Sequence, residues 1–385
     1  MSQHRNTVVI LGSTGSIGTQ GLDVISRHPE RFTVTGLAAG GAHVRLLAQQ
    51  VARHHVPQVA VYDEAAVPAL HEALEEVGAR YTQIQAGPQA VNAIAGSGAD
   101  LVLNGITGSV GLEPSIAALR AGSQLALANK ESVVAGGHLL FGAQVRDDQI
   151  NPVDSEHSAI WQSLRSGTHA EVSRLVVTAS GGPFRGWKRA DMSDITPEQA
   201  LNHPTWHMGP VVTINSSTLM NKGLEIIEAM RLYRLPVEQV QAVIHRQSIV
   251  HSLVEFRDGA LLAQLGTPDM KLPIRYAMTY PHRAESPDAP LDLLTCGALT
   301  FDRPDEEAFP CLRLAREAAA VGGTACAILN GANEAAVGLF LQGKLGFNDI
   351  PRRVERVLER MEVQYQPSLA DILEADRAAR RAVLL

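Results

Sequence analysis

The chain has 385 residues, a length that suggests two or three domains, and 45% of its residues are hydrophobic and 19% are charged, which is ordinary for a soluble globular protein. Its net charge of -7 excludes a general basic surface for nucleic acid, so local positive groups must bind any anionic ligand. Three cysteines without CxxC spacing argue against a disulfide framework and against a thiolate zinc site. The sequence shows neither a signal peptide nor the apolar stretch of about 20 residues that a membrane span needs, so we expect a cytoplasmic protein.

The first 150 residues alternate between strand-like and helix-like segments. Apolar, β-branched runs predict strands, and the segments between them predict helices. The predicted strands cover residues 7–11, 32–38, 58–62, 100–103 and 124–128, and the predicted helices include residues 20–27, 44–54 and 113–121. Because such alternation is typical of doubly wound folds, the pattern predicts an α/β fold in which residues 1–150 form a Rossmann-like domain with a parallel sheet.

The rest of the chain shows three further patterns. Residues 151–282 mix strand-like runs with a helical run at 220–233, which predicts a central α+β domain. Residues 283–311 are rich in proline, which few helices or central strands tolerate, so we predict a linker. Residues 312–385 are rich in Ala, Glu, Arg and Leu and predict a small C-terminal α-helical domain.

A glycine-rich turn follows the first predicted strand. Gly12, Gly15 and Gly18 lie between that strand and a predicted helix. Glycine lets the backbone approach a pyrophosphate closely, and the helix N-terminus offers N–H groups and a positive dipole end. The spacing is GxxGxxG rather than GxGxxG, so the prediction of a dinucleotide site depends on the strand–turn–helix context. The alternative is a tight turn that binds no ligand.

The end of the second predicted strand indicates which dinucleotide binds. An NAD site usually places Asp or Glu there, and the carboxylate binds the ribose 2′-hydroxyl. Residues 37–45 contain no acid, so nothing there repels a 2′-phosphate, and His43 or Arg45 could contact it. The sequence therefore favours NADPH over NADH.

Two carboxylates stand close together after an apolar segment. If Asp154 and Glu156 are extended, they face the same side and repel each other unless a cation or a proton neutralises them. Oxygen ligands suit Mg²⁺ or Mn²⁺ better than zinc, and His157 has no second histidine at ligand spacing nearby in the sequence. The alternative is a solvated polar loop.

A second group of polar residues lies at the start of a predicted helix. Ser216, Asn221 and Lys222 offer the hydroxyl, amide and ammonium donors that a phosphate needs. Glu225 follows Asn221 by four residues and Lys222 by three, so these side chains share a face if the segment is helical. A third carboxylate could thus meet the metal beside a phosphate site. An ordinary helix N-cap with solvated charges is the alternative.

Three loops add candidate substrate contacts. Ser180 offers a hydroxyl in a glycine-rich loop after a predicted strand. His203 and Trp206 lie in a loop flanked by prolines, which indicates either a lid or a surface loop whose tryptophan packs down as an anchor. Lys130 follows the carboxyl end of a predicted strand, where it could touch a substrate oxygen or form a salt bridge with Glu131.

Nine motifs share one order with a known family. They are GSTGSIG, NGITGSVGLEP, LANKES, PVDSEH, TASGGPFR, NHPTWHMG, NSSTLMNKGLE, HRQSIVHS and LNGANEAAV. Between residue 12 and about residue 337, the chain thereby resembles the 1-deoxy-D-xylulose 5-phosphate reductoisomerase family of the non-mevalonate isoprenoid pathway. The resemblance implies an NADPH domain, a central catalytic domain and a C-terminal helical domain in a homodimer without a nucleic-acid or membrane partner.

The resemblance also implies a reaction. A divalent metal, Mn²⁺ or Mg²⁺ with Co²⁺ as an alternative, would chelate a phosphorylated ketose, 1-deoxy-D-xylulose 5-phosphate, while its carbon skeleton rearranges. Reduction by NADPH would then give 2-C-methyl-D-erythritol 4-phosphate.

The family's functional residues fall on matching positions of this sequence. The NADPH contacts implied by the resemblance are Thr14, Gly15, Ser16, Ile17, Gly40, Asn129, Glu131 and Gly209. The implied metal ligands are Asp154, Glu156 and Glu225, and together with Lys130 and His203 they form the implied catalytic set. The implied substrate contacts are Lys130, Ser155, Glu156, Ser180, His203, Ser216, Asn221, Lys222 and Glu225.

The chain departs from the family pattern near the expected 2′-phosphate contact. Gly41 and Ala42 follow Gly40, where members usually have a basic or similar polar residue and then asparagine. Asn215 replaces a usual aspartate and Arg246 a usual proline, neither at a residue expected to be catalytic.

Two other functions stay open from the residues alone. A metal-independent, NADP-dependent sugar or semialdehyde dehydrogenase would share the Rossmann-like domain, and metal dependence discriminates it. A non-catalytic NADPH-binding module would leave the three carboxylates unexplained.

Overall fold

The computed structural model describes residues 5–206 and 208–385, which fall into two compact units. Of the described residues, the first unit contains residues 5–132, 139–154 and 270–286, and the second contains residues 133–138, 155–206, 208–269 and 287–385. The division at residues 150, 282 and 311 stays a prediction of domain organisation, because compact units and functional domains need not coincide.

The chain alternates between strands and helices up to residue 164. The strands are β1 (Asn6–Leu11), β2 (Phe32–Ala39), β3 (Gln58–Val61), β4 (Gln83–Ala86), β5 (Leu101–Asn104), β6 (Gln124–Leu127), β7 (Ile150–Pro152), β8 (Val172–Ala179), β9 (Val240–Ile244), β10 (Val250–Phe256) and β11 (Leu261–Leu265). The helices are α1 (Ser16–Arg27), α2 (Val44–His54), α3 (Val67–Glu76), α4 (Pro88–Ala95), α5 (Leu112–Arg120), α6 (Lys130–Ala143), α7 (Ser155–Leu164), α8 (Pro197–Leu201), α9 (Pro210–Ser217), α10 (Met220–Leu232), α11 (Lys271–Thr279), α12 (Cys311–Val321), α13 (Ala325–Leu341), α14 (Asp349–Arg360) and α15 (Leu369–Leu384).

A seven-stranded sheet forms the centre of the first unit. Its strand order is β4-β3-β2-β1-β5-β6-β7, and the paired strands are all parallel. Parallel strands are covered by helices on both faces, which is why β1 reads as an apolar run and residues 8–11 are fully buried. The chain moves outward from β1 to β4 and then returns to β5 on the other side of β1. Ligands of such sheets bind outside the carboxyl ends of the strands at this reversal.

A four-stranded mixed sheet belongs to the second unit. Its order is β11-β10-β8-β9, with β10 antiparallel to both neighbours and β8 parallel to β9. One hydrophobic core joins this sheet to α10 and to the C-terminal helices, as the buried side chains of Leu175, Leu224, Leu329 and Phe340 show. The C-terminal helices therefore share a core with the sheet that carries β8 and β10.

The α/β fold expected from the sequence is confirmed. In the first unit, α1 begins at Ser16 rather than at residue 20, and the predicted strands did not include β4 or β7. In the second unit, α10 lies within the helical run predicted at residues 220–233, and β8 to β11 lie within residues 151–282, where strand-like runs are predicted. No helix among residues 5–206 and 208–385 is long and apolar enough to cross a bilayer.

Candidate functional site

The glycine turn lies at the carboxyl end of β1. Gly12 has φ +75°, and a Cβ there would lie 2.8 Å from the carbonyl oxygen of Gly105, which follows β5. Only glycine combines this left-handed backbone with such a close approach. Gly15 then caps α1 without any side-chain hydrogen bond, so the first N–H groups of α1 meet no side-chain acceptor. Because β1 and β5 flank the reversal of strand order, this turn has the position and the chemistry of a pyrophosphate cradle.

The end of β2 presents a loop without acidic side chains. Gly41 has φ +116°, and a Cβ there would lie 2.9 Å from the Cβ of Ala66, so this position requires glycine and offers no side-chain contact. His43 and Arg45 are exposed at the start of α2. They are the cationic side chains that this loop offers to an anion.

Asn129 fixes the loop that follows β6. Its amide oxygen accepts a hydrogen bond from the Ser132 backbone N–H at 2.9 Å and thereby caps α6. Its amide nitrogen donates to the carbonyl oxygens of Ile106 at 2.5 Å and Gly108 at 2.8 Å, and it lies 3.3 Å from Glu131 Oε2. The two predicted cofactor residues, Asn129 and Glu131, are thus buried and shape the backbone between β5 and α5.

Lys130 is paired with a carboxylate of the same unit. Its Nζ lies 2.5 Å from Oδ2 of Asp154, and both side chains are about nine-tenths buried. A buried charge is stable only when it is paired or hydrogen-bonded, so this pair fixes an ammonium at the carboxyl edge of the sheet.

The segment from Asp154 to Glu156 is not extended, as the sequence interpretation had supposed. Ser155 begins α7, and its hydroxyl donates to Glu156 Oε2 at 2.6 Å. Glu156 therefore lies in the first turn of a helix, where the positive end of the helix dipole stabilises a carboxylate. The argument that alternating strand residues face one side was wrong here.

Glu156 and Glu225 converge in the second unit. Their carboxylate oxygens approach within 4.8 Å of each other, and Glu225 is 1% exposed. Lys222 Nζ lies 3.3 Å from Glu156 Oε1 and also contacts Glu225 Oε2. Asn221 Nδ2 donates to Glu225 Oε1 at 2.5 Å, so Asn221, Lys222 and Glu225 share one face of α10. Asp154 precedes Glu156 by two residues in the chain.

His203 joins two serine hydroxyls in the same unit. Its Nδ1 accepts hydrogen bonds from the backbone N–H groups of Thr205 at 3.1 Å and Trp206 at 2.9 Å. The ring proton must then be on Nε2, which lies 2.9 Å from Ser180 Oγ and 3.1 Å from Ser216 Oγ. The fold thus brings Ser180, after β8, next to Ser216 on α9.

A kink joins the two groups of donors on α9 and α10. Leu219, between the helices, has φ +60° although its side chain is packed in the core with 3% exposure. A left-handed, non-glycine residue is uncommon and is often found at functional sites. This residue lets α10 restart at Met220 directly after α9 ends, which places Asn221 and Lys222 within a few residues of Ser216.

Sequence reasoning missed a buried pair beneath the carboxylates. His157 is fully buried, and its Nε2 lies 2.9 Å from the carbonyl oxygen of Glu225. Its Nδ1 lies 3.3 Å from Oε2 of Glu228, which is 1% exposed. Glu228 follows Glu225 by three residues on α10, and this helical spacing was the available signal.

The loop around Trp206 lies over β10. The Trp206 ring centroid lies 6.2 Å from that of His251. Gly209 is exposed and caps α9 without a side-chain hydrogen bond. His207 lies outside the described residues, and the lid interpretation of this loop stays a prediction.

The parts described so far define a class of protein: an α/β enzyme that combines a dinucleotide-binding sheet with a carboxylate and phosphate-donor site. Three family models match the chain. The model described as 1-deoxy-D-xylulose 5-phosphate reductoisomerase matches residues 8–137, the one described as the C-terminal domain of that enzyme matches residues 150–233, and the one described as the DXP reductoisomerase C-terminal domain matches residues 265–382. The chain belongs to the 1-deoxy-D-xylulose 5-phosphate reductoisomerase family.

Curated relatives and solved structures cover the whole chain. The 1-deoxy-D-xylulose 5-phosphate reductoisomerase of Bifidobacterium longum (strain NCC 2705) is 64% identical over 383 residues, which are 98% of this chain and 97% of that protein. That of Streptomyces avermitilis is 50% identical over 378 residues, which are 97% of this chain and 96% of that protein.

Two solved structures share the fold throughout. The reductoisomerase from Zymomonas mobilis in complex with NADPH is 40% identical with a TM-score of 0.91, and the match covers 99% of this chain and 98% of that one. A reductoisomerase in complex with NADPH, fosmidomycin and magnesium is 38% identical with a TM-score of 0.93, and the match covers 98% of this chain and 97% of that one.

Burial gives a prediction for the pH dependence of stability. Burial lowers the pKa of His251 to about 4, below its ordinary value of 6.5. Between these two pKa values, the unfolded chain binds a proton that the folded chain does not. The contribution of His251 to the free energy of unfolding is therefore fully present above about pH 6.5 and is lost as the pH falls towards 4. We expect His251 to account for about 2 kcal/mol of lost unfolding free energy between pH 7.5 and pH 5.

The measurement is urea unfolding at both pH values. His251→Gln should lose less stability on acidification than the wild type, by that amount. His71→Gln, on the exposed face of α3, is the matched control and should behave as the wild type. Equal acid sensitivity of His251→Gln and the wild type would contradict the prediction.

Proposed function

We propose that the chain converts 1-deoxy-D-xylulose 5-phosphate to 2-C-methyl-D-erythritol 4-phosphate with NADPH and a divalent metal, as its family name implies. The observation that carries this function is the convergence of Glu156 and Glu225 on Lys222, in a helix that also presents Asn221. A metal-independent dehydrogenase is not favoured, because such an enzyme has no use for buried, converging carboxylates.

The donor set fits a hard divalent cation. Asp154, Glu156 and Glu225 offer only carboxylate oxygens, which suit Mg²⁺ or Mn²⁺. Two carboxylates within 4.8 Å repel each other, and here a lysine ammonium compensates their charge. We propose these three residues as the metal ligands. When bound, the metal supplies Lewis-acid stabilisation of negative charge on the sugar oxygens.

Lys222 has two roles in this proposal. In this structure its ammonium neutralises Glu156 and Glu225. Once another cation compensates these carboxylates, Lys222 can turn to the substrate phosphate together with Asn221, Ser216 and Ser180. The Nε2–H of His203 lies within hydrogen-bond distance of both serine hydroxyls and is a further donor for the phosphate. Because the Trp206 N–H donates to Nδ1 of the same ring, this contact also positions the Trp206 loop.

The remaining substrate contacts come from the carboxyl edge of the parallel sheet and the start of α7. Lys130 offers an ammonium and Ser155 a hydroxyl, and we propose that they contact the sugar oxygens. A fixed ammonium can orient the ketose by donating hydrogen bonds to its oxygens. Because its position is set before the reaction, little reorganisation is needed.

We propose that the dinucleotide binds at the glycine turn. Thr14, Gly15, Ser16 and Ile17 surround the start of α1, where backbone N–H groups face the pyrophosphate. Gly40 and Gly209 leave room for the cofactor because they carry no side chain, and Asn129 and Glu131 support the neighbouring loop. NADPH supplies the hydride.

The functional assay follows NADPH oxidation with 1-deoxy-D-xylulose 5-phosphate in Mg²⁺ or Mn²⁺, and then with EDTA. We expect oxidation that EDTA abolishes. Oxidation that persists after EDTA treatment would contradict the proposed metal dependence. Folded protein that binds NADPH but shows no oxidation with any metal would contradict the proposed reaction.

A variant tests the metal ligands separately from turnover. Glu225→Gln removes one negative charge from the site and should weaken Mn²⁺ binding, measured by electron paramagnetic resonance, by about tenfold or more. NADPH affinity should not change. The control is Glu238→Gln, an exposed residue of the same unit. Mn²⁺ affinity equal to that of the wild type would remove Glu225 from the ligand set.

The 2′-phosphate needs a cationic partner that Gly41 and Ala42 do not provide. We propose that Arg45, with His43, fills this role at the start of α2. Arg45→Ala should weaken NADPH binding by about tenfold and leave NADH binding unchanged, because only NADPH carries the 2′-phosphate. Fluorescence titration with both dinucleotides gives the two dissociation constants. A parallel loss for NADH, or no loss for either, would place the phosphate elsewhere.

We also propose a cytoplasmic homodimer. The edge strand β11 exposes Leu261 and Leu262 by 51% and 36%, and an exposed, apolar edge strand is a surface that commonly pairs with another chain. Light scattering of the purified protein gives the molar mass, and a monomer at micromolar concentration would refute the dimer.

A further inference from the structure

A cavity of about 390 Å³ opens in the first unit, far from the glycine turn along the same strands. It lies where β1 and β2 begin and where α1 and α2 end, whereas the glycine turn follows the carboxyl end of β1. The six residues of β1 span roughly 17 Å at strand geometry, so the cavity and the dinucleotide site are at opposite edges of the sheet.

The charged side chains of this cavity are all basic. Arg5, Arg53, His54 and His55 line it, and among the described residues no Asp or Glu does. This is unusual in a chain with a net charge of -7. Within residues 5–206 and 208–385, no salt bridge joins any of these four side chains to a carboxylate. Two guanidinium groups without a counterion create a local positive potential at a concave surface, and the two histidine rings add hydrogen-bonding groups beside them.

The opposite wall of the cavity is apolar. Ile25, Phe32 and Val34 contribute to it and are each at most 4% exposed, and Pro29 lies beside them. A concave site that combines apolar walls with a few convergent polar groups is typical of small-molecule binding.

Two helix ends also lie at this cavity. The carboxyl ends of α1 and α2 carry partial negative charge. The backbone N–H of His28 donates to the Ile25 carbonyl at 3.0 Å, and that of Val56 donates to the Val51 carbonyl at 3.1 Å, so these terminal carbonyls are satisfied. Burial lowers the pKa of the His54 imidazole, and the nearby positive charges of Arg53 and His55 lower it further. An anion in the cavity would relieve this repulsion among like charges.

We propose that this cavity binds a small organic phosphate or diphosphate. The anionic group lies among Arg5, Arg53, His54 and His55, and an apolar portion packs against Phe32 and Val34. Arginine pairs with phosphate oxygens in bidentate geometry, so the two arginines match a ligand of two negative charges, and the histidine rings can add N–H donors.

The first experiment reads the histidines directly. The protein is saturated with NADPH, so the dinucleotide site cannot take up the probe, and inorganic pyrophosphate is titrated while histidine ring signals are followed by NMR. His54→Gln and His55→Gln assign the two signals. We expect saturable shifts of both signals, and Arg5→Ala combined with Arg53→Ala should weaken the apparent affinity by about tenfold or more.

The matched control is Arg120→Ala. Arg120 is exposed in the last turn of α5, as Arg53 is in the last turn of α2, but it does not line the cavity. Pyrophosphate affinity should stay at the wild-type value in this variant. Absence of shifts at His54 and His55, or equal affinity in the double variant and the wild type, would overturn the proposal.

A second probe tests the apolar wall. Butyl phosphate should bind tighter than inorganic phosphate at the same histidine signals, because its alkyl chain buries apolar surface against Phe32 and Val34. Phe32→Ala should remove this advantage while the affinity for inorganic phosphate persists. Equal affinities for the two probes in the wild type would overturn the apolar part of the assignment.

Discussion

Electrostatic repulsion between two closely placed carboxylates is the constraint on which the candidate site of the second unit depends. Glu156 enters from the first turn of α7 and Glu225 from α10, and a lysine on that same helix compensates both. An isolated buried carboxylate would cost several kcal/mol, so the site requires a cation at all times. Lys222 meets this need in the structure described here, and its three-residue spacing from Glu225 makes the compensation intrinsic to one helix. The surrounding groups can be understood as supports for this arrangement.

Those supports extend in two directions from the carboxylates. In the core behind the carboxylates, the fully buried His157 contacts the Glu225 carbonyl and the Glu228 carboxylate. Before Lys222 in the chain, the left-handed backbone conformation of Leu219 allows α10 to begin directly after the end of α9. A rigid surround of this kind holds reacting groups in place so that little reorganisation is needed during catalysis.

Much of the first unit was predictable from the sequence because parallel strands are apolar throughout. β1, β2, β5 and β6 were found within one or two residues of their observed bounds. β4 was missed because its sequence, Gln-Ile-Gln-Ala, lies at the sheet edge and carries little apolar signal. The glycine turn was recognised by its context, whereas the reason why Gly41 must be glycine, its left-handed backbone against Ala66, depends on tertiary contacts.

The site was predictable by residue type more than by geometry. Carboxylates and donors at helical spacing on α10 pointed to a shared face, which the structure shows. The extended conformation supposed for Asp154 and Glu156 was wrong because α7 begins at Ser155, and a short polar segment gives no periodicity that would reveal this. The hydrogen bonds of His203 to Ser180 and Ser216 join three separate segments, and no local pattern predicts such a long-range contact.

The network around Asn129 has a consequence for the chemical ageing of the protein. The side-chain nitrogen of Asn129 donates to the carbonyl oxygens of Ile106 and Gly108, and its oxygen holds the start of α6. Deamidation would replace that nitrogen by a carboxylate oxygen, which would face two carbonyl oxygens and the nearby Glu131 carboxylate. A change of one atom type, with almost no change in volume, would turn three attractions into repulsions. The loop after β5 would thereby lose the hydrogen bonds that Asn129 donates to it.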